Sequence, residues 1–259
     1  MDFFAPLAQI DPALLVAAIA IMLVGGFVKG AVGFALPMIG IGGIGSFMPA
    51  QETVAILLLP TLFSNLWQTL RQGIGPAVLT LRQFWKLNLL LGLTIGLAAQ
   101  LVPWIPSTGL FVFLGALVCS AAGLQLIGWR PRAPEARRPR AVLEIVTGLF
   151  AGVCGGLSGV WGPPVMFFLI SLGADKTLQI RAVGLAFVVG SAILVPAHIE
   201  SGILNARTIP FSLAMCLPVA AGMAIGLRYQ DRMDQALFRR MTLVVLCLAG
   251  LNLLRRGLM

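Results

Sequence analysis

Long apolar runs alternate with short polar stretches along almost the whole chain. Most of these runs come close to the roughly 20 residues with which an α-helix crosses a bilayer. Because lipid offers no hydrogen-bond partner to an open strand edge, we predict that all of them are helices. The first five are residues 13–32, 34–48, 53–70, 84–104 and 108–128, and the second five are 141–160, 162–173, 180–198, 208–228 and 235–254.

Composition assigns the chain to the polytopic membrane proteins. Of its 259 residues 59% are hydrophobic and 10% charged, and the mean hydropathy is +0.98. The net charge of +9 comes from cations at the ends of the apolar segments, with no basic stripe between aromatic residues. We therefore expect the lipid bilayer as a partner and the charge to set topology, and we expect no nucleic-acid partner.

No cofactor or metal site is expected from the sequence. The four cysteines lie singly in apolar stretches, without a CxxC pair or a neighbouring histidine, and are interpreted as small core residues. The N-terminus has no Lys or Arg before its first apolar run, so we expect that run to remain in the mature chain.

A basic segment separates the two groups of apolar runs. Residues 129–140, WRPRAPEARRPR, carry five arginines and three prolines. We predict a first transmembrane repeat over 1–128, a cytoplasmic linker over 129–140 and a second repeat over 141–259.

Internal similarity supports a duplication of the chain. A glycine and proline pattern recurs at an offset of 126, the pattern GxxIGLxxQ of residues 92–100 recurs at 222–230, and Gly-Leu-Gln at 123–125 resembles Gly-Leu-Asn at 250–252. Three matches in the same order predict two pseudo-symmetric repeats. The recurring glycines and prolines are Gly26, Gly30, Gly33 and Pro37 in the first copy and Gly152, Gly156, Gly159 and Pro163 in the second.

The distribution of cations favours inverted repeats. With five crossings per repeat and the N-terminus outside, fourteen Lys and Arg residues lie on the cytoplasmic side and three outside; Lys29, which lies within a segment, is not counted. Four crossings per repeat with the N-terminus inside divide the same residues eleven to six. Segments 34–48 and 162–173 are also compatible with re-entrant halves, so the fold class is an all-α membrane protein of eight to ten hydrophobic segments.

The glycine patterns predict a break in one helix of each repeat. Their glycines lie on one helical face that permits close packing, which is the structural interpretation. The functional interpretation is that both copies are discontinuous helices whose free amides face an anion at the repeat interface. On this interpretation Gly30, Gly33, Gly156 and Gly159 are substrate-binding residues.

Lys29 places a positive charge inside the first pattern. It aligns with Gly155 in the second copy, so the scaffold does not require a charge there. A lysine at the bilayer centre costs about 2.5 to 3.5 kcal/mol on insertion scales. Anion contact or gating would explain the charge, and snorkelling of the ammonium to the inner interface is the alternative.

The paired motifs GxxxGxxGxxxP at 26–37 and 152–163 resemble the duplicated signature of the TauE/SafE family of sulfite and organosulfonate exporters. The resemblance covers essentially the whole chain and implies secondary transport, usually export, of a small anion across a bacterial inner membrane. It implies no enzymatic activity, and a homo-oligomer stays open. The first copy departs from the family's longer glycine run with GAVGFALP.

Further polar residues are candidates for substrate contact. Asn65 aligns with Ser191, and both could offer donors near a central site; interhelical hydrogen bonding is the alternative. In the second break, Ser158 could donate to an oxyanion and Trp161 could pack against the substrate or a neighbouring helix. The third segment supplies Ser64, Asn65, Gln68 and Thr69.

Coupling to a proton or sodium gradient has three candidate residues. His198 titrates near neutral pH and lies two residues before Glu200, and Glu52 follows a turn-like Pro-Ala-Gln. All three fall at predicted segment ends, where solvated structure is the alternative interpretation.

Two other functions stay open at this stage. Residues 156–159 spell GxSG, and with His198 they superficially resemble the dyad of an intramembrane serine protease. The first copy has Val32 in place of Ser158, so the pattern does not need a nucleophile. A passive anion channel differs from a carrier in lacking saturable flux against a gradient.

Overall fold

The computed structural model describes residues 11–99, 107–128, 133, 136–158 and 160–258. Within these residues the protein is entirely helical, which confirms the predicted secondary structure. The eleven helices of the described part are α1 (Pro12–Val32), α2 (Leu36–Ile44), α3 (Ala50–Leu70), α4 (Ile74–Gln83), α5 (Trp85–Ala99), α6 (Ser107–Leu126), α7 (Arg137–Ser158), α8 (Gly162–Ser171), α9 (Lys176–Glu200), α10 (Thr208–Arg232) and α11 (Gln235–Leu258).

Six helices of the described residues are long and apolar enough to cross a membrane, namely α1, α3, α7, α9, α10 and α11. Helices α2 and α8 have nine and ten residues. At about 1.5 Å per residue each covers roughly half of a 30 Å hydrocarbon core. Their lengths favour re-entrant halves over full crossings, and the relative orientation of the repeats stays a prediction.

Several segment boundaries differ from the predicted ones. Helix α4 was not predicted, because its ten residues are less apolar than the neighbouring runs and carry Arg82. Helix α7 begins at Arg137, four residues before the predicted start of the second repeat. Residues 100–104 of the fourth predicted segment, and 129–132 and 134–135 of the predicted linker, lie outside the described residues.

The chain divides into two compact units, each of which takes helices from both halves of the sequence. Unit 1 comprises Met1–Gln68 and Ser191–Arg232, and unit 2 comprises Thr69–Gly190 and Met233–Met259. Two of the boundaries fall inside α3 and α9, and the third falls between α10 and α11. The predicted division into residues 1–128 and 141–259 is one of sequence repeats and stays a prediction.

In unit 1, α1 packs closely against α10. A Cβ atom on Gly30 would lie 2.5 Å from the Met223 carbonyl oxygen and 3.0 Å from the Gly226 Cα, so the two backbones touch directly. Close approach of this kind is what small residues permit between membrane helices. One apolar core cluster of this unit is formed by Ala18, Met22, Leu36, Ile44, Ile56, Leu57, Phe211, Met215 and Val219.

A proline in α3 is accommodated by a hydroxyl from α10. Pro60 has no N–H, so the Ile56 carbonyl lacks its normal helical donor. The Ser212 hydroxyl donates to this oxygen at 3.0 Å and accepts from the Leu59 N–H at 3.2 Å. Ser212 is fully buried, and its two bonds fasten α3 to α10 within unit 1.

Unit 2 contains two further close helix pairs, α5 with α7 and α6 with α11. A Cβ on Gly152 of α7 would meet the Leu91 carbonyl of α5 at 2.7 Å. A Cβ on Gly115 of α6 would meet the Gly250 carbonyl of α11 at 2.8 Å. Gly152 of the first sequence match and Gly250 of the third thus lie at helix contacts, as the structural interpretation expects, whereas a Cβ on Gly123 would meet nothing within 4 Å among the described residues.

Candidate functional site: the two broken helices

The structure confirms the predicted break in the first copy. Helix α1 ends at Val32 and α2 begins at Leu36. Gly33 and Ala35 between them have φ values of 91° and 82°, in the left-handed region. Gly33 adopts this conformation without strain, whereas for Ala35 it costs about 1 to 2 kcal/mol. The backbone therefore turns sharply between α1 and α2.

Helix α2 presents an uncapped N-terminus at this break. Its N-cap residue is Ala35, and no side chain of the described residues caps it. The backbone amides in the first turn of a helix have no intrahelical acceptor and carry a partial positive charge. Such an end accepts an anion readily, although Pro37 removes one of its donors.

Lys29 is enclosed by protein at the same break, with 1% of its surface exposed. Its Nζ donates to Asn65 Oδ1 at 2.6 Å and to Gln68 Oε1 at 3.1 Å, both on α3. A third, longer bond of 3.5 Å reaches the Gly33 carbonyl. Snorkelling is therefore wrong as an explanation of Lys29, because its ammonium lies among α3 side chains and not at an aqueous interface.

The two amides of α3 are held with their oxygens toward Lys29. Asn65 Nδ2 donates to the Thr61 carbonyl at 2.7 Å, and Gln68 Nε2 donates to the Gly33 carbonyl at 3.0 Å. Since each NH₂ group is bound elsewhere, each amide oxygen is left to accept from the ammonium. Both predicted residues therefore belong to one network with Lys29.

A third amide secures the C-terminal end of α1 from the side of α10. Gln230 Nε2 donates to the Gly30 carbonyl at 2.7 Å and to the Ala31 carbonyl at 3.4 Å. Carbonyls at a helix end lack intrahelical donors, and Gln230 supplies one. The sequence contained a signal for this residue, because it closes the repeated GxxIGLxxQ pattern, but its role was not predicted.

The second break lies between α7, which ends at Ser158, and α8, which begins at Gly162. Gly159 and the side chain of Ser158 lie outside the described residues, and Gly156 is half-buried near the end of α7. Trp161 is the N-cap residue of α8, with 4% of its surface exposed. The structure thus confirms that a helix ends and another starts at the predicted position.

The indole of Trp161 fills the space beside this break. Its ring packs on Phe187 with centroids 4.8 Å apart, and it covers Gly155 and Gly190, where a Cβ would approach to 2.9 Å and 2.7 Å. Its buried Nε1–H has no acceptor among the described residues. An unpaired buried donor costs about 1 to 3 kcal/mol, so Trp161 offers a hydrogen bond that an anion could accept.

The remaining candidates lie in two kinds of environment. Ser64 and Ser191 are buried in unit 1, and the Ser64 hydroxyl donates to its own helix at the Thr61 carbonyl. The candidate coupling residues lie at helix ends: Glu52 is exposed in the first turn of α3, Glu200 is exposed at the end of α9, and His198 Nδ1 lies 2.6 Å from the Leu194 carbonyl. Their roles stay predictions.

Comparison with known proteins assigns the chain to a family. The sequence model described as Sulfite exporter TauE/SafE matches residues 17–253 and so includes both breaks and Lys29. No curated protein and no solved structure matched the chain. The match extends over most of the sequence, including all of α3, α7, α9 and α10 and most of α1 and α11. The protein is a multi-pass membrane protein that belongs to the TauE/SafE family of sulfite exporters.

Proposed function

We propose that the protein is a secondary transporter that exports a small sulfur-containing anion, such as sulfite or an organosulfonate, across a bacterial inner membrane. The observation that carries this proposal is the presence of two interrupted helices, each followed by a short helix without a side-chain cap. Interrupted helices supply the ion and substrate sites of many secondary transporters. Family membership supplies the class of substrate.

The breaks differ in what they offer to an anion. The first break offers the free backbone amides of α2 together with the positive charge of Lys29. Its ammonium already donates to three protein oxygens, so Lys29 contributes charge more readily than a new hydrogen bond. At the second, the Trp161 Nε1–H is a neutral donor, and Ser158, Gly156 and Gly159 are proposed to complete the contact.

Helix pairing supports two equivalent repeats. In the sequence alignment α1 corresponds to α7, and α10 corresponds to α5. Helix α1 packs on α10 within unit 1, and α7 packs on α5 within unit 2, so corresponding helices make corresponding contacts. This exchange of partners between the halves favours alternating access by pseudo-symmetric repeats, coupled to a proton or sodium gradient.

Flux measurements in proteoliposomes test the proposal. Radiolabelled sulfite, taurine and sulfoacetate are loaded separately, and efflux is followed with and without a proton or sodium gradient. The proposal expects saturable flux of at least one anion that a gradient drives uphill. Non-saturable flux that never runs uphill would indicate a passive channel, and no flux of any of the three from folded protein would refute the substrate class.

Two variants connect flux to the breaks. Gly159→Leu is expected to abolish transport while the protein still inserts, because the large side chain fills the second break. Ser158→Ala removes the only hydroxyl of the GxSG pattern: as a substrate contact its loss should raise the half-saturating anion concentration but leave saturable flux, whereas an enzymatic nucleophile would leave no activity. Normal flux in Gly159→Leu would remove that break from the mechanism.

A further inference from the structure

The oxygens around Lys29 Nζ have the character of a site for a small monovalent cation. Three uncharged oxygens accept hydrogen bonds from the ammonium, namely Asn65 Oδ1, Gln68 Oε1 and the Gly33 carbonyl oxygen. Amide and carbonyl oxygens are the ligands that hard cations prefer. We infer that this network is an alkali-cation site, most suited to Na⁺, which the ammonium of Lys29 occupies as a tethered substitute.

The site is formed by the fold rather than by the lysine alone. Asn65 and Gln68 are buried, and the bonds from their NH₂ groups to backbone carbonyls point both amide oxygens at the ammonium. These bonds do not involve Lys29, so they persist when its side chain is shortened. A cation entering the vacated space would therefore meet oriented oxygens without reorganisation.

The position within the helix also favours a cation. Gly33 is the C-cap residue of α1, so its carbonyl lies at the partially negative end of the helix dipole. In transporters with interrupted helices, unwound carbonyls and C-terminal ends of half-helices coordinate the coupling cation, while N-terminal ends face the anion. The first break has both features, with Lys29 at the C-terminal end of α1 and the uncapped N-terminus of α2 after it.

The consequence concerns coupling, and in that respect it rests on the proposed transport function. A tethered ammonium cannot dissociate with the substrate, so the wild-type protein needs no Na⁺ at this position. Truncation of Lys29 should open the site and make Na⁺ a ligand. We therefore expect Na⁺ to bind at this site in a variant with a truncated Lys29 and not in the wild-type protein.

Cation binding can be measured without any anion or flux. The midpoint of thermal unfolding of the purified protein is compared in equal concentrations of NaCl, KCl and choline chloride. For Lys29→Ala we expect Na⁺ to raise the midpoint by about 3 to 6 °C when its concentration is about ten times the dissociation constant. Lys29→Met is the matched control, because it removes the charge but fills the same space with an apolar chain.

Additional variants make the result decisive. Asn65→Leu in the Lys29→Ala background should abolish the Na⁺ effect, and Lys29→Ser serves as a second truncation if Lys29→Ala does not fold. Equal midpoints in the three salts for the truncated variants would overturn the inference. A Na⁺ effect in wild type and in Lys29→Met as large as that in Lys29→Ala would overturn it too. So would failure of both truncations to fold in every salt, since no alkali ion would then replace the ammonium.

Binding and transport fail separately in this design. If Lys29→Ala binds Na⁺ and wild type moves none of the tested anions, the cation site stands and the proposed function falls. If wild type transports one of the anions but neither truncated variant responds to Na⁺, the proposed function stands and the cation site falls. In the case where both stand, efflux by Lys29→Ala should be several-fold faster in Na⁺ than in choline, whereas efflux by wild type should not change.

Discussion

Gly30→Ala measures how much of the protein's stability depends on the close approach of α1 and α10. The added Cβ would lie 2.5 Å from the Met223 carbonyl oxygen, where ordinary contact begins at 3.4 Å, a shortfall of about 0.9 Å. The obstacle is backbone, which cannot rotate away as a side chain would. Overpacking of this kind costs about 1 to 3 kcal/mol. Separation of the helices also lengthens the bond from Gln230 Nε2 to the Gly30 carbonyl.

The helix propensity gained by Gly→Ala must be separated from this packing cost. Gly123→Ala in α6 is a matched control, because a Cβ there would meet nothing within 4 Å among the described residues. Both substitutions gain about 1 kcal/mol of propensity, so the difference between them isolates the packing cost. For a difference of 2 kcal/mol, we expect thermal unfolding of Gly30→Ala to be about 4 to 8 °C below that of Gly123→Ala. Equal midpoints would refute the close contact of the two backbones.

Three further substitutions test single residues of the breaks. Ala35→Gly should raise the unfolding midpoint by about 1 to 3 °C, since glycine relieves the positive φ of 82°; a lower midpoint would contradict strain at this residue. Gln230→Leu should lower the free energy of unfolding by about 1 to 3 kcal/mol relative to the exposed control Gln83→Leu, because it removes the donor to carbonyls of α1. Equal stability of the two variants would refute a stabilising role of the bond from Gln230 to the Gly30 carbonyl. Trp161→Phe should unfold at the same or a higher temperature without anion while raising the half-saturating anion concentration roughly tenfold; unchanged affinity would leave only packing for the indole.

The pattern of glycines and prolines was sufficient to predict where the helices break. Gly33 and Pro37 are residues that end or start helices for local reasons, so their effect is visible in the sequence. Helix α4 has no comparable signal, because it is short and only partly apolar, and its ends depend on neighbouring helices. Local chemistry thus predicted the interruptions better than it predicted the number of helices.

The network around Lys29 could be predicted in composition but not in geometry. Asn65 and Gln68 were candidates because they are polar residues in an apolar segment. Which of them meets Lys29 depends on the rotation of α3 about its axis and on its distance from α1, and both are set by tertiary packing. For the same reason the repeated glutamine at Gln230 was visible in the sequence, while its acceptor carbonyls on α1 were not.

The two copies of the break also differ in a complementary way. In the predicted alignment Lys29 corresponds to Gly155, and Ala35 corresponds to Trp161. The first copy has its large side chain at the earlier of the two positions, and the second copy has its large side chain at the later one. In unit 2 the ring of Trp161 covers Gly155, which leaves no room there for a lysine. The absence of a second lysine thus follows from packing in the second copy.

This exchange gives the two breaks different chemistry on related backbones. The first copy supplies an ammonium held by α3, and the second supplies a neutral indole donor that has no acceptor among the described residues. The backbones have diverged as well, since φ is 82° at Ala35 and −119° at Trp161. A tryptophan placed at position 35 would be strained, so the copies are no longer interchangeable. An anion bound at the second break would satisfy the indole donor best through an oxygen, so that break alone would distinguish a sulfur oxyanion from a halide of equal charge.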